Sequence, residues 1–176
     1  MSLAIQLPPR EDQQEFNLHV WRRMLEDPEL AKIEGRFETD RHGHILMSPP
    51  PARQHGSRQF AIARMLDGLM GDFVQTESPV STSDGVRAAD VTWASSGRLR
   101  KSGASPLFLQ APEICVEVLS PSNSSAEMAE KTALYFDAGA DEVWLCETDG
   151  TMRFHTPAGP IERSALCPDF PASIPG

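Results

Sequence analysis

Apolar and polar positions alternate most legibly in the second half of the chain. Ile114, Cys115, Val116, Val118 and Leu119 form an apolar run of strand length with Glu117 inside it. A turn cluster, SPSNSS, follows, and then AEMAEKTALYFDAG, where Met128, Lys131, Leu134, Tyr135 and Ala138 recur at steps of three and four. That period predicts a helix with one inward stripe. Ser124 with Glu127 three residues later has the form of a capping box, and Gly139 is placed to end the helix. EVWLCE then reads as a strand, and TMRFH as its hairpin partner across TDG. Strand, helix and strand with short links make a βαβ unit, whose two strands should lie parallel and adjacent or nearly so. A near-continuous apolar strand at 114–119 fits a sheet covered on both faces.

Upstream the pattern is more varied. Residues 1–14 are polar with two prolines and read as a loose arm. FNLHVWRRMLED places Phe16, Val20, Trp21, Met24 and Leu25 at helical spacing. In GRFETDRHGHILMSPPP, segments at 35–39 and 44–48 flank DRHG as a hairpin, which the proline run ends. Phe60, Ile62, Leu66, Leu69 and Met70 mark a helix over 54–70, closed by Gly71. DFVQTE and AADVTWAS read as strands joined by a turn-rich loop at SPVSTSDG, and SSGRLRKSG as a basic, glycine-bearing loop. No internal repeat interrupts this order. The expected architecture is α/β: one domain over 15–176, a mixed central sheet flanked by helices, with an N-terminal helix and hairpin.

Composition narrows the choices. A chain of 176 residues, 40% apolar and 23% charged, is the size of one domain with one substantial core. No apolar run approaches the ~18 residues of a membrane span, and no basic-then-apolar leader opens the chain, so a cytoplasmic protein is the default. Cys115, Cys146 and Cys167 show no C-x-x-C spacing and read as buried free thiols rather than zinc ligands. The net charge of −9 argues against a surface that grips phosphates broadly, so any nucleic-acid role needs a local patch or a metal ion. Arg98, Arg100 and Lys101 are the one local basic cluster; they could touch phosphates, although a solvated loop is the default. His42, His44 and His55 are imaginable as a zinc set, but RHGH sits in a predicted turn and solvated histidines are the simpler reading. Ser120 lacks the glycine-flanked elbow of a hydrolase nucleophile, and no phosphate-binding glycine fingerprint occurs.

Glu117 is the chemical question. A carboxylate in an apolar strand is expensive to bury unless it is paired or binds a cation. Lys131 lies on the inward stripe of the following helix, and only three lysines occur against thirteen arginines. Asp90, read as the start of the AADVTWAS strand, could converge on the same point if that strand neighbours 114–119. Two carboxylates and a lysine suit Mg²⁺ and an attacking water, which the lysine would orient or help deprotonate. They suit equally a structural Glu117–Lys131 ion pair with Asp90 as a turn residue.

VRAADVTWAS, PEICVEVLSPSN and EKTALYFDAGADEVWLCETDG together resemble the Uma family of restriction endonucleases, within the PD-(D/E)XK nuclease superfamily. The likeness runs from GRFETDRHGHILMSPPPARQHG to SALCPDFPASIPG. It implies that Asp90 is the metal-binding aspartate and Glu117 the acidic residue of the second half-motif. The motif lysine would stand where Leu119 is, and the resemblance places it instead at Lys131. The Val118 carbonyl is implied as a further metal ligand, and Glu38 as a member of the acidic cluster, where an exposed strand glutamate is as good a reading. Ala89 replaces the motif proline and Glu113 a more usual aspartate, neither at a cost in chemistry. His55 matches a family position without an assigned role. The implied activity is a Mg²⁺-dependent endonuclease, with Mn²⁺ as substitute, hydrolysing phosphodiester bonds of nucleic acid, DNA in the first instance, with homodimerisation open. Two rivals stand beside it: the same fold kept as a binding or assembly module without catalysis, and metal-free chemistry with Asp90 and Glu117 as acid and base.

Overall fold

The computed structural model describes residues 10–48 and 50–175. Helix α1 (Glu11–Glu26) leads through a 3-10 turn (Leu30–Lys32) into the hairpin β1 (Arg36–Thr39) and β2 (Ile45–Ser48). After α2 (Arg53–Met70) come β3 (Phe73–Thr82), β4 (Gly85–Ala94), a short helix α3 (Ser96–Ser102) and β5 (Ile114–Val118). Helix α4 (Ser125–Asp137) connects β5 to β6 (Glu142–Cys146), and β7 (Met152–Thr156) and β8 (Gly159–Ile161) complete the set. The main sheet runs β3-β4-β5-β6-β7-β8. Only β5 and β6 are parallel, with Ile114 opposite Glu142 and Val118 opposite Cys146. This is the expected mixed sheet with its adjacent βαβ pair.

Alternation along the strands divides the core between the two faces. On one face Ile62 and Leu66 of α2 meet Val91, Trp93, Ile114, Val116, Trp144 and Phe154. The C-terminal segment seals this face: Phe170 lies 4.6 Å from Trp144 between ring centroids. On the other face Tyr135 and Ala138 of α4 meet Ala89, Cys115 and Val143. Strand β5 is therefore covered on both sides, which is why its sequence is apolar almost throughout. Ser124 caps α4 in a complete capping box with Glu127. All five residues of the expected α4 stripe are buried.

Several expectations are corrected. Helix α1 begins at Glu11, inside the stretch read as an arm; residues 1–9, the rest of that arm, lie outside the described residues. Its buried positions include Asn17 and Trp21, whereas Phe16 and Leu25 are exposed. Asn17 Nδ2 donates to Ser81 Oγ at 2.9 Å and to the Thr82 carbonyl at 2.9 Å, so an amide does anchoring work that an apolar count misses. In α2 the inward side carries Arg58, Gln59, Ile62 and Leu66, leaving Phe60 and Leu69 exposed. The segment read as a loop at SPVSTSDG is continuous strand joined by a turn at Ser83 and Asp84. Ser78, Ser81 and Thr82 are buried with partners: Ser78 Oγ and Thr92 Oγ1 stand 2.6 Å apart, Ser81 Oγ accepts from Asn17, and Thr82 Oγ1 donates to the Gly85 carbonyl. Asp90 therefore sits within β4 rather than at its start. The basic loop at 95–103 is largely helical, with Ser95 as N-cap accepting from the Arg98 amide.

Gly85 fixes the hairpin against the sheet. Its φ is +88°, and a Cβ there would stand 2.2 Å from the Thr39 carbonyl oxygen. Only glycine allows that conformation and that approach together.

Candidate active site

The site forms where strand pairing fails around Asp90. Strand β4 pairs with β5 at Trp93–Ile114, Thr92–Cys115 and Val91–Val116. One further step in that register would oppose Asp90 and Glu117, but the ladder ends at Val91. On the other edge, β3 pairs through Thr76–Val91 and Ser78–Ala89, skipping Glu77 and Asp90. Glu77 takes a left-handed conformation with φ of +52°, a strained state for a residue with a side chain. The backbone carbonyl of Asp90 accepts instead from Gln59 Nε2 of α2 at 2.8 Å. Towards the start of β4, side chains of β1 cover the edge that β5 does not reach. Thr39 Oγ1 accepts from the Val86 amide at 3.0 Å, and Glu38 Oε1 from the Ala88 amide at 2.9 Å. Backbone groups left by the broken ladder are thus satisfied by side chains.

Asp90 is 1% and Glu117 4% exposed. Asp90 Oδ2 accepts from the Val118 amide at 2.6 Å, which ties the aspartate to the end of β5. Its Oδ1 accepts from Arg36 Nη1 and faces His55 Nε2 at 3.3 Å. Glu117 Oε1 accepts from the Tyr135 hydroxyl at 2.6 Å, and Oε2 from Lys131 Nζ at 3.1 Å. The same ammonium lies 3.0 Å from Glu38 Oε1. Arg36 Nη2 is 3.2 Å from Glu38 Oε1 and 3.7 Å from Glu117 Oε2. Arg36 Nε is 3.5 Å from Glu77 Oε2, and Gln59 Nε2 donates to Glu77 Oε1 at 2.6 Å. Helix α4 delivers Lys131 and Tyr135 together because they lie four residues apart on one face.

Proton affinities follow from burial and charge. Burial, reinforced by the charge of Asp90, pushes Glu117 up to about 7 against the pull of Lys131 and Arg36. Burial also opposes ionisation of Asp90, but His55 and Arg36 hold its pKa below the usual aspartate value. For Glu38, Lys131 and Arg36 outweigh burial and lower the pKa. Burial would lower that of Lys131; Glu117 and Glu38 override it and the pKa is raised. Lys131 is accordingly an ammonium, which suits charge stabilisation and orientation better than proton abstraction. Asp90 raises the pKa of His55 through their hydrogen bond.

Asp90, Glu117, Val118, Lys131 and Glu38 are thus brought together, and His55 joins them. His42 and His44 are not part of the site; His44 Nδ1 pairs with Asp40 Oδ2 at 2.8 Å in the hairpin turn. Arg98 is committed elsewhere: its Nη1 donates to the Ala111 and Gly139 carbonyls at 2.6 and 2.8 Å, and its Nη2 to Asp141 at 3.1 Å. Those bonds tie α3 to the segments before β5 and β6. Arg100 and Lys101 are exposed at the end of α3. Glu113 accepts from both the amide and the hydroxyl of Ser95, and so holds the α3 cap to β5.

Four site residues escape a reading of the sequence. Tyr135 passes as an apolar member of the α4 stripe, Gln59 as a polar surface position, and Glu77 as an ordinary strand glutamate. Arg36 has the clearest missed signal, since residues two apart in a strand share a face and Arg36 precedes Glu38 by two.

In kind, the donor set fits a hard divalent cation, because Asp90, Glu117 and Glu38 present carboxylate oxygens. As arranged, those oxygens face Arg36 and Lys131, and among the described residues no group of three or more His, Cys, Asp and Glu side chains is disposed to hold a metal ion. A cation would need the place of the Arg36 guanidinium.

Residues 24–165 match the family Uma2, described as "Putative restriction endonuclease". No curated protein matches the chain. Among solved structures, it is similar to a crystal structure described as a putative nuclease belonging to DUF820 from Anabaena variabilis. The TM-score is 0.69 and the identity 17%, over 86% of this chain and 93% of the other. At that identity the likeness establishes a shared fold.

Proposed function

The chain belongs to the Uma2 family, and from that premise we propose that it is a metal-dependent endonuclease hydrolysing phosphodiester bonds of DNA at the Asp90–Glu117–Lys131 cluster. The observation that carries the reading is the meeting of these three residues at the gap between β4 and β5, with Lys131 supplied from α4. Asp90, Glu117 and the Val118 carbonyl would hold Mg²⁺ or Mn²⁺, with Glu38 completing the acidic set. When bound, such an ion would lower the pKa of a water and offset charge on the phosphate.

The protein's own groups do the rest. Gln59, His55 and the Val118 amide fix Asp90 at three points, so its carboxylate needs little reorganisation when it binds. Tyr135 holds Glu117 Oε1 and Lys131 meets Oε2. The Lys131 ammonium orients the attacking water and stabilises the charge that builds on the phosphate as the new P–O bond forms and the old one breaks. This arrangement compensates for a net charge of −9, which gives little general attraction to a polyanion.

Supercoiled plasmid incubated with the protein and Mg²⁺ or Mn²⁺ should be nicked or linearised, chelator should stop the reaction, and Lys131→Ala should lower the rate by about 10²-fold or more. Equal cleavage by a folded Lys131→Ala protein would sink the assignment.

A second reading has its own observation: each carboxylate of the cluster already has a cationic partner, as in a structural ion network. The chain would then be a nuclease-fold binding or assembly module. Calorimetric titration with Mg²⁺ separates the two, since heat of binding that disappears in Glu117→Gln belongs to the enzyme reading alone.

A further inference from the structure

Arg36 stands at the centre of the cluster, and the proposed mechanism gives it no task. Its guanidinium is surrounded by four carboxylates, Asp90, Glu38, Glu77 and Glu117, at 2.5–3.7 Å. Against those four carboxyl groups stand two fixed cations, Arg36 and Lys131. Lys131 comes from a helix packed on the sheet and is buried by it. Arg36 comes from the outlying hairpin, whose second strand is exposed along its whole length. Its side chain keeps 18% of its surface open to solvent. Among the described residues its buried Nε has no hydrogen-bond partner, so the fork is not fully engaged.

We infer that Arg36 is a built-in counter-cation that holds the metal position in the metal-free protein and must be displaced for a divalent ion to bind, so that it sets the metal affinity of the site. The physical case has three parts. The oxygens that would ligate a metal, Asp90 Oδ1 and Glu117 Oε2, both face the guanidinium, at 2.5 and 3.7 Å. A double charge in place of a single one suits a cluster of four carboxyl groups better. The guanidinium can also swing towards the solvent side while β1 stays in place, because the hairpin is held by Phe37 against Trp21, Val86 and Leu107 and by Thr39, not by Arg36.

This inference rests on the metal-dependent reading, and the experiment keeps the two apart. Mn²⁺ binding to the full chain is measured by calorimetry for wild type, Arg36→Gln and Arg36→Lys, and thermal unfolding is followed in chelator and in Mn²⁺. The expected result is affinity at least about tenfold higher for Arg36→Gln, as when a competing charge beside a carboxylate is removed. In chelator that variant should melt below wild type, and Mn²⁺ should raise its melting temperature by more than it raises that of wild type. Arg36→Lys, which keeps the charge and loses the fork, should fall between the two. Should Arg36→Gln fail to fold in chelator, recovery of folded protein on adding Mn²⁺ supports the exchange, and failure to recover overturns it. If wild type cuts DNA with Mn²⁺ while folded Arg36→Gln binds the ion no more tightly, the inference falls and the function stands. If neither protein binds Mn²⁺, both fall.

Discussion

Glu117 shows how one buried carboxylate is made tolerable. It is sealed beneath α4 and receives one donor on each oxygen, Tyr135 on one side and Lys131 on the other. Removing a donor leaves an unsatisfied buried acceptor, which costs about 1–3 kcal/mol, and more when the lost donor carried the charge. Tyr135→Phe should therefore lower stability in urea by about 1–3 kcal/mol, with the m-value unchanged. An unmoved midpoint would mean that Glu117 finds another donor. Lys131→Ala removes the charged partner, for which about 3–5 kcal/mol is the usual scale in a buried pair. Its activity must accordingly be read below its own melting temperature. At this scale the spacing of the α4 stripe announced Lys131, because a lysine among apolar positions on a helix face needs a reason. Arg36 escaped, because a single arginine in a short strand looks like any other surface charge until the strand's neighbours are known.

Among the elements, the hairpin β1–β2 and the break in the sheet depend on each other. Strand β4 outruns β5, and Thr39 and Glu38 satisfy the amides left over at Val86 and Ala88. The hairpin reaches them only because Gly85 admits the Thr39 carbonyl to its backbone. Gly85→Ala should cost about 1–3 kcal/mol from the left-handed backbone alone, with the clash at Thr39 adding to it. Nuclease activity should fall with it, although Gly85 touches none of the carboxylates. Circular dichroism melts paired with a plasmid assay check both, and wild-type activity in the variant would show that the hairpin does not place Glu38 and Arg36. The βαβ unit was legible from periodicity and capping, since both are local. The β3–β4 hairpin was not, because buried Ser78, Ser81 and Thr82 imitate a loop when their partners on β4 and α1 are unseen.

For the whole molecule, a sheet covered on both faces predicts closed chemistry away from the site. All three cysteines are buried and free. Burial raises their thiol pKa, that of Cys146 to about 11, so little thiolate exists at pH 8 in the folded state. A disulfide reagent at that pH should label essentially none of the three in native protein and all three in denaturant. Rapid labelling of native protein would reveal an opening of the sheet on the timescale of the assay. The acidic net charge acts at this scale too: −9 implies no broad positive surface, so on the proposed function the capture of a polyanion would fall to a metal ion and the few cations of the cluster.

By itself, the sequence determined what depends on near neighbours along the chain. That includes the α4 stripe, its capping box, the parallel β5–β6 pair, the hairpin at DRHG and the candidacy of Asp90, Glu117 and Lys131. Tertiary structure decided what depends on register between distant segments. It placed Asp90 within β4 rather than at its start, turned Glu77 out of the ladder, and drew Arg98 away to carbonyls of other segments. It also set Arg36 among four carboxylates drawn from three other strands and its own. The reason is physical: periodicity records which face a residue occupies, whereas charge pairing depends on which strands end, and where, beside one another.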